Sequence, residues 1–240
     1  MSDRPRVVLF DIDNTLLRGG GLGRRAFERA LVEVTRTKAP LPHVSMAGRT
    51  DPLILLDFLA AMGIAPEERL LAAVMDRYVE NLTSELRENR TSLLLPGALD
   101  VLGALSDAPD VHVGLLTGNI ARGAALKLRA HGLDGRFAFG AYGDDARTRP
   151  ELLPIALARW RAWQCQLAGA TGGVGVRMED VHVVGDTVHD VGVARAHGAC
   201  AVAVGTGTPY QDREAILATR PNWFFETLAD AGPWVERVRA

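Results

Sequence analysis

Short apolar runs alternate with stretches of helical length along this chain, and that alternation is what most restricts its fold. Val7–Phe10 is the first such run. His112–Leu116 is the second, Phe137–Phe139 a weaker third, Val181–Val184 the fourth and Ala201–Val204 the fifth, with Trp223–Phe225 a possible sixth at an edge. Runs this short and this apolar are typical of strands buried on both faces. Strands separated by helices predict an α/β fold, with a mostly parallel sheet covered by helices.

Residues 22 to 89 break the alternation. Leu22, Ala26, Phe27, Ala30, Leu31 and Val34 recur at helical spacing. Asp51–Met62 and Glu67–Glu88 read as two further helices, with Gly63 and Pro66 between them. The span carries no strand signal. A helical block between two strands of a parallel sheet predicts an inserted lid, hinged near Gly19-Gly20-Gly21 and Leu95-Pro96-Gly97, where glycine supplies backbone freedom. The expected division is a core of residues 1–18 and 95–240 with a helical cap of residues 19–94. Ala168–Val176 is rich in glycine, but no strand precedes it, so it reads as a flexible connector and not as a dinucleotide fingerprint.

The bulk numbers exclude some partners. A formal charge of -2 and scattered basic residues predict neither a nucleic-acid nor a membrane-surface binder. The apolar run at Val7–Phe10 is too short for a signal-peptide core or a membrane span. Cys165 and Cys200 lack metal-ligand spacing, and two lone thiols fit a reducing compartment, so a cytoplasmic protein is expected. Nothing here specifies an oligomeric state.

The polar residues fall where such a sheet binds ligands. Asp11 and Asp13 follow the first strand, Thr117-Gly118-Asn119 the second, and Asp186 the fourth, with Asp190 one helical turn later. All are at carboxyl ends of predicted parallel strands, the edge where open α/β sheets form their crevice. Several carboxylates there repel one another and stay ionised only around a cation. Oxygen ligands without His or Cys favour a hard ion, Mg²⁺ before Ca²⁺ or Zn²⁺. Thr117 offers a hydroxyl, and the Gly118 and Asn119 amides opening the next helix would seat an anion. Metal, anion seat and carboxylates together suggest phosphoryl transfer.

These residues resemble a known family. FDIDNT resembles the DxDxT opening of the haloacid dehalogenase superfamily of phosphohydrolases, LLTGN its second motif and VVGDTVHD its fourth; the likeness runs from Val7 to about Gly205. It implies a Rossmann-like three-layer core with strand order near 5-4-1-2-3 and a helical cap inserted after the first motif. It further implies a phosphatase acting on a small phosphorylated metabolite, phosphoglycolate-like or a sugar phosphate. Asp11 would be the nucleophile and Asp13 the general acid and base. Asp11, the Asp13 backbone carbonyl and Asp186 would hold Mg²⁺, and Asp190 would bind it through water or orient Asp186. Thr117, with Gly118 and Asn119, would hold the phosphoryl oxygens.

One motif departs from the family pattern. A Lys usually precedes the fourth motif, often as Lys-Pro, and here Arg149 stands before Pro150. Arg keeps the charge with a different reach and shape. Lys127 competes for that role, but at 1.5 Å per residue it stands about 12 Å from the start of its helix, so it reads as a surface Lys. Arg49, in AGRTDPLILLDFL, either touches a substrate carboxylate or phosphate or is a surface residue beside an N-capping Thr50 or Asp51. His189 reads as a helix-surface His, and Asp144-Asp145 as a solvated loop. A phosphomutase of the same fold is the nearest alternative. A dehalogenase would need neither Asp13 nor Mg²⁺. A phosphonate-cleaving enzyme would want a Schiff-base Lys, and Lys38 lies in a probable loop. A non-catalytic phosphate-binding module would be expected to lack one of these acids.

Overall fold

The computed structural model describes residues 4–88, 91–168, 175–207 and 213–240. In chain order the elements are β1 (Arg6–Phe10), β2 (Leu17–Arg18), α1 (Leu22–Thr35), α2 (Asp51–Ala61), α3 (Glu68–Arg87), β3 (Leu93–Leu94), α4 (Ala98–Ser106), β4 (Val111–Leu116) and α5 (Ala121–Ala130). There follow β5 (Gly140–Ala141), α6 (Arg149–Ala168), β6 (Val181–Gly185), α7 (Val188–His197), β7 (Cys200–Val204), α8 (Arg213–Ala218), β8 (Trp223–Phe225) and α9 (Gly232–Arg239). Residues 169–174 of the expected glycine-rich connector lie outside the described residues.

The sheet runs β5-β4-β1-β6-β7-β8 with every pair parallel. Numbered among themselves, these core strands read 3-2-1-4-5-6. That is the expected order seen from the other end, lengthened by one edge strand. β1 is central because Val7, Val8, Leu9 and Phe10 are all fully buried, as a strand with both faces covered requires. Val8 and Phe10 pack with α4 and α9 through Leu102, Trp234 and Val238. Val7 and Leu9 pack on the opposite face with Leu153 and Trp160 of α6 and Val193 of α7. The result is a three-layer α/β core.

The third strand differs from expectation. Phe139 ends the segment read as a strand, yet ladder pairing begins there, with Leu115 N–H donating to its carbonyl, and β5 is Gly140–Ala141. The Phe139 ring instead covers Gly114, where an added Cβ would meet it at 2.3 Å.

Helices α1, α2 and α3 build a separate apolar cluster around Phe27, Phe58 and Tyr78. Phe27 and Tyr78 meet edge to face with centroids 5.2 Å apart, a favoured aromatic geometry. The chain enters and leaves this block through β2 and β3, an antiparallel pair that sequence patterning did not indicate. Two residues per strand are too few to show a period. No helix among the described residues is long and apolar enough to cross a membrane.

Candidate active site

Asp11 is the first residue beyond β1, and its N–H donates to the Val184 carbonyl of β6. Asp186 is the first beyond β6. Central parallel strands thus deliver these two acids side by side. The capping box of α7 adds the third: Thr187 accepts from the His189 and Asp190 amides, and Asp190 accepts from the Thr187 amide. Ligand atoms of Asp11, Asp186 and Asp190 all lie within 4.8 Å of one another.

Burial and mutual repulsion raise the affinity of Asp11 and Asp186 for protons. The Asp11 carboxyl is pushed up to about 6, chiefly by burial; Arg149 pulls it back and Asp190 raises it further. Asp186 is raised well above the usual carboxylate range by burial and then by Asp190 and Asp11. Asp186 Oδ2 is buried with no hydrogen-bond partner among the described residues. Buried polar atoms are nearly always satisfied, so an orphaned carboxylate oxygen facing two more acids suits a hard cation. Asp190 is already engaged. Its Oδ2 accepts from the Thr187 amide and hydroxyl, and its Oδ1 pairs with Arg149. It orders Thr187 and Arg149, and no hydrogen bond among the described residues ties it directly to Asp186.

Arg149 opens α6 and is buried between Asp11, 3.2 Å away, and Asp190. Burial alone would lower its pKa, but the facing carboxylates more than offset this and hold it charged. Thr117, just beyond β4, is fully buried, and its hydroxyl helps to pull the Asp11 carboxyl back down. Its Oγ1 accepts from the side-chain and backbone N–H groups of Asn119.

The helix start behind Thr117 is organised differently from expectation. Helix α5 begins at Ala121. The Ile120 amide donates to Asp51 Oδ2 at 2.9 Å and the Ala121 amide to Asp144 Oδ1 at 3.0 Å. Protein carboxylates therefore occupy these first helix donors. Asp51 also donates its own N–H to the Gly118 carbonyl. It is buried, and its carboxyl is pushed up to about 6 by burial, with Lys127 pulling the other way. Asp51 is thus not a plain N-cap of α2, and Thr50, which holds that position, makes no side-chain cap. Gly118 permits the close approach: a Cβ there would lie 2.0 Å from the Arg49 carbonyl oxygen.

Lys127 is not on the surface. It is 6% exposed, and its Nζ lies 2.6 Å from both Asp13 Oδ2 and Asn119 Oδ1. Rise along the axis measures the backbone alone, whereas helical side chains lean back toward the helix N-terminus and a lysine stem is long. One signal was available: Lys127 lies on the face of α5 that also carries Ala124 and Leu128, both buried. His189 is exposed on α7, as expected of a helix-surface His, and its ring packs where a Cβ on Gly48 would fall, 2.3 Å from Cδ2. Asp144 is exposed as expected, whereas Asp145 is tied to Arg159 and to the Tyr142 amide. Arg49 pairs with Asp57 of α2. A cavity of about 920 Å³ brings Asp11, Asp13, Arg49, Lys127, Arg149 and Asp186 to one space.

Residues 5–198 match the sequence profile of the haloacid dehalogenase-like hydrolases. The phosphoglycolate phosphatase of Rhodospirillum rubrum is 25% identical over 96% of this chain and 91% of its own length. That of Synechococcus elongatus is 30% identical over 57% of each chain. Among solved structures, CbbY from Rhodobacter sphaeroides in complex with phosphate superposes with a TM-score of 0.71 at 18% identity, covering 95% of this chain and 96% of that one. At that identity the likeness concerns the fold. With its acids at the strand ends and its profile match across most of its length, the chain belongs to the haloacid dehalogenase-like hydrolase family, as a phosphoglycolate-phosphatase-like enzyme.

Proposed function

We propose that the protein is a Mg²⁺-dependent phosphatase that hydrolyses a small phosphomonoester through an aspartyl-phosphate on Asp11. The observation that carries this reading is the buried, unpartnered Asp186 Oδ2 beside Asp11 and Asp190. Asp11, the Asp13 backbone carbonyl and Asp186 would hold the ion, and Asp190 would act through Thr187 and Arg149 or through water. When bound, Mg²⁺ would offset carboxylate repulsion and the charge of the phosphoryl oxygens.

In the first step a carboxylate oxygen of Asp11 attacks phosphorus, and the bond from phosphorus to the ester oxygen breaks. Asp13 gives its proton to the departing alkoxide. In the second step Asp13 takes a proton from water, whose oxygen attacks phosphorus, and the bond to Asp11 breaks to release inorganic phosphate. Covalent catalysis divides one difficult displacement into two easier ones. Arg149 and Thr117 hold Asp11 in place. Thr117, Gly118 and Asn119 would receive the phosphoryl oxygens, and Arg49 would meet the rest of the substrate from the helical block. That block, residues 19–94, would be the cap, and residues 1–18 and 95–240 the catalytic core.

The similarity to phosphoglycolate phosphatases favours a phosphoglycolate-like substrate, and the cavity has room for a sugar phosphate too. The test is turnover of p-nitrophenyl phosphate with Mg²⁺ and with EDTA, followed by a panel of phosphorylated metabolites. Turnover should require the metal and vanish in Asp11→Asn. Full activity in that variant would refute the nucleophile assignment. Slow phosphate release with rapid isomerisation of a sugar phosphate would favour a phosphomutase instead.

A further inference from the structure

We propose that Lys127 is a positioning residue that holds Asp13 in the orientation its acid–base role requires; this rests on the reading of Asp13 given above. Asp13 Oδ2 receives two donors, Lys127 Nζ at 2.6 Å and Asn119 Nδ2 at 2.8 Å. The same ammonium donates to Asn119 Oδ1 at 2.6 Å, and Asn119 Nδ2 also reaches Thr117 Oγ1 at 2.8 Å. Lysine, asparagine and carboxylate thus close a triangle anchored to the threonine beside Asp11. Among the described residues no hydrogen bond ends on Asp13 Oδ1, so one oxygen is clamped and the other is free to carry the proton.

The ammonium is buried with Asp13 as its direct ion-pair partner, and it also draws on the nearby Asp51 carboxyl. It projects from the apolar face of α5, and the helical block covers it. A Cβ on Gly23 of α1 would be 3.4 Å from Nζ and 4.0 Å from the Tyr78 hydroxyl of α3. Burying a charge is unfavourable unless it is paired. Here Asp13 pairs it, and the low-dielectric cover strengthens the attraction. Lys38 is the only other lysine and is exposed.

The test compares kcat/KM for p-nitrophenyl phosphate and phenyl phosphate under saturating Mg²⁺. The phenolate leaving from phenyl phosphate is the more basic and depends more on protonation by Asp13. Lys127→Met should lose about ten-fold more activity on phenyl phosphate than on p-nitrophenyl phosphate, and Lys127→Gln, which also removes the charge, should share that selective loss. Asp13→Asn should show the same preference, more steeply, and adding Lys127→Met to it should cost little more, because the two residues act as a unit. A purely structural role would lower both substrates equally. If Asp13→Asn is selective while both Lys127 variants lose both activities in parallel or lose neither, the inference is overturned alone. If Asp13→Asn is itself unselective, the acid–base reading fails and takes the inference with it.

Discussion

The guanidinium of Arg149 lies 3.2 Å from the Asp11 carboxylate, although 138 residues separate the two in the chain. Both side chains are almost wholly buried, so each is the other's main counterion. Removing the cation strands charge in a dry place, which costs about 3–5 kcal/mol when a buried pair is broken. Arg149→Met should therefore lower the melting temperature sharply in the absence of metal and abolish most activity. Arg149→Lys should recover part of both, because it restores the charge without the planar guanidinium fork that contacts Asp11 and Asp190. Thermal denaturation and phosphate release measure the two effects.

Metal binding should depend on pH in a fixed direction. The Asp11 carboxyl is pushed up to about 6, and Asp186 is raised well above the usual carboxylate range. Protons therefore compete with the ion as pH falls through about 6, and binding releases them. The rise in melting temperature on adding Mg²⁺ should be large at pH 7.5 and fade below pH 6. A Mg²⁺ effect of equal size at pH 5 and pH 7.5 would contradict a site built on these carboxylates.

Asp51 offers a stability prediction with an explicit sign. Its folded carboxyl titrates near 6 instead of 3.8 because burial disfavours the charge. Its contribution to stability is fully present below pH 3.8 and is lost as pH rises through 6. Asp51→Asn keeps an oxygen acceptor for the Ile120 amide without the charge. At pH 8 it should be more stable than the parent by up to roughly 3 kcal/mol, because each ten-fold change in proton affinity on folding is worth about 1.4 kcal/mol. The gain should disappear toward pH 4, as measured by chemical denaturation at both pH values.

Gly118→Ala tests the contact between the helical block and the core. The new methyl would lie 2.0 Å from the Arg49 carbonyl oxygen, which is backbone and cannot swing aside. The segment before α2 must retreat, losing the hydrogen bond from Asp51 N–H to the Gly118 carbonyl. Overpacking of this kind costs about 1–3 kcal/mol. Activity should fall at least about ten-fold, since groups near the reacting centre shift by a fraction of an ångström or more. A circular dichroism spectrum should show the secondary structure retained.

Local patterning determined much of this protein. The runs at Val7–Phe10, Val181–Val184 and Ala201–Val204 read as buried parallel strands, and parallel neighbours of that kind bring Asp11 and Asp186 to one rim. The helices of the inserted block were legible for the same reason, since Phe27 and Leu31 or Val74 and Tyr78 recur at helical spacing. Tertiary structure alone decided the partners of the side chains. Lys127 became a ligand of Asp13 because it points back along α5 beneath Gly23. Asp51 became a partner of Ile120 because the segment before α2 rests on Gly118. Asp190 turned toward Arg149 and Thr187. Periodicity reports which face of an element is apolar, whereas the reach and direction of a charged side chain depend on which backbone comes to lie opposite, and that is set only when distant segments pack.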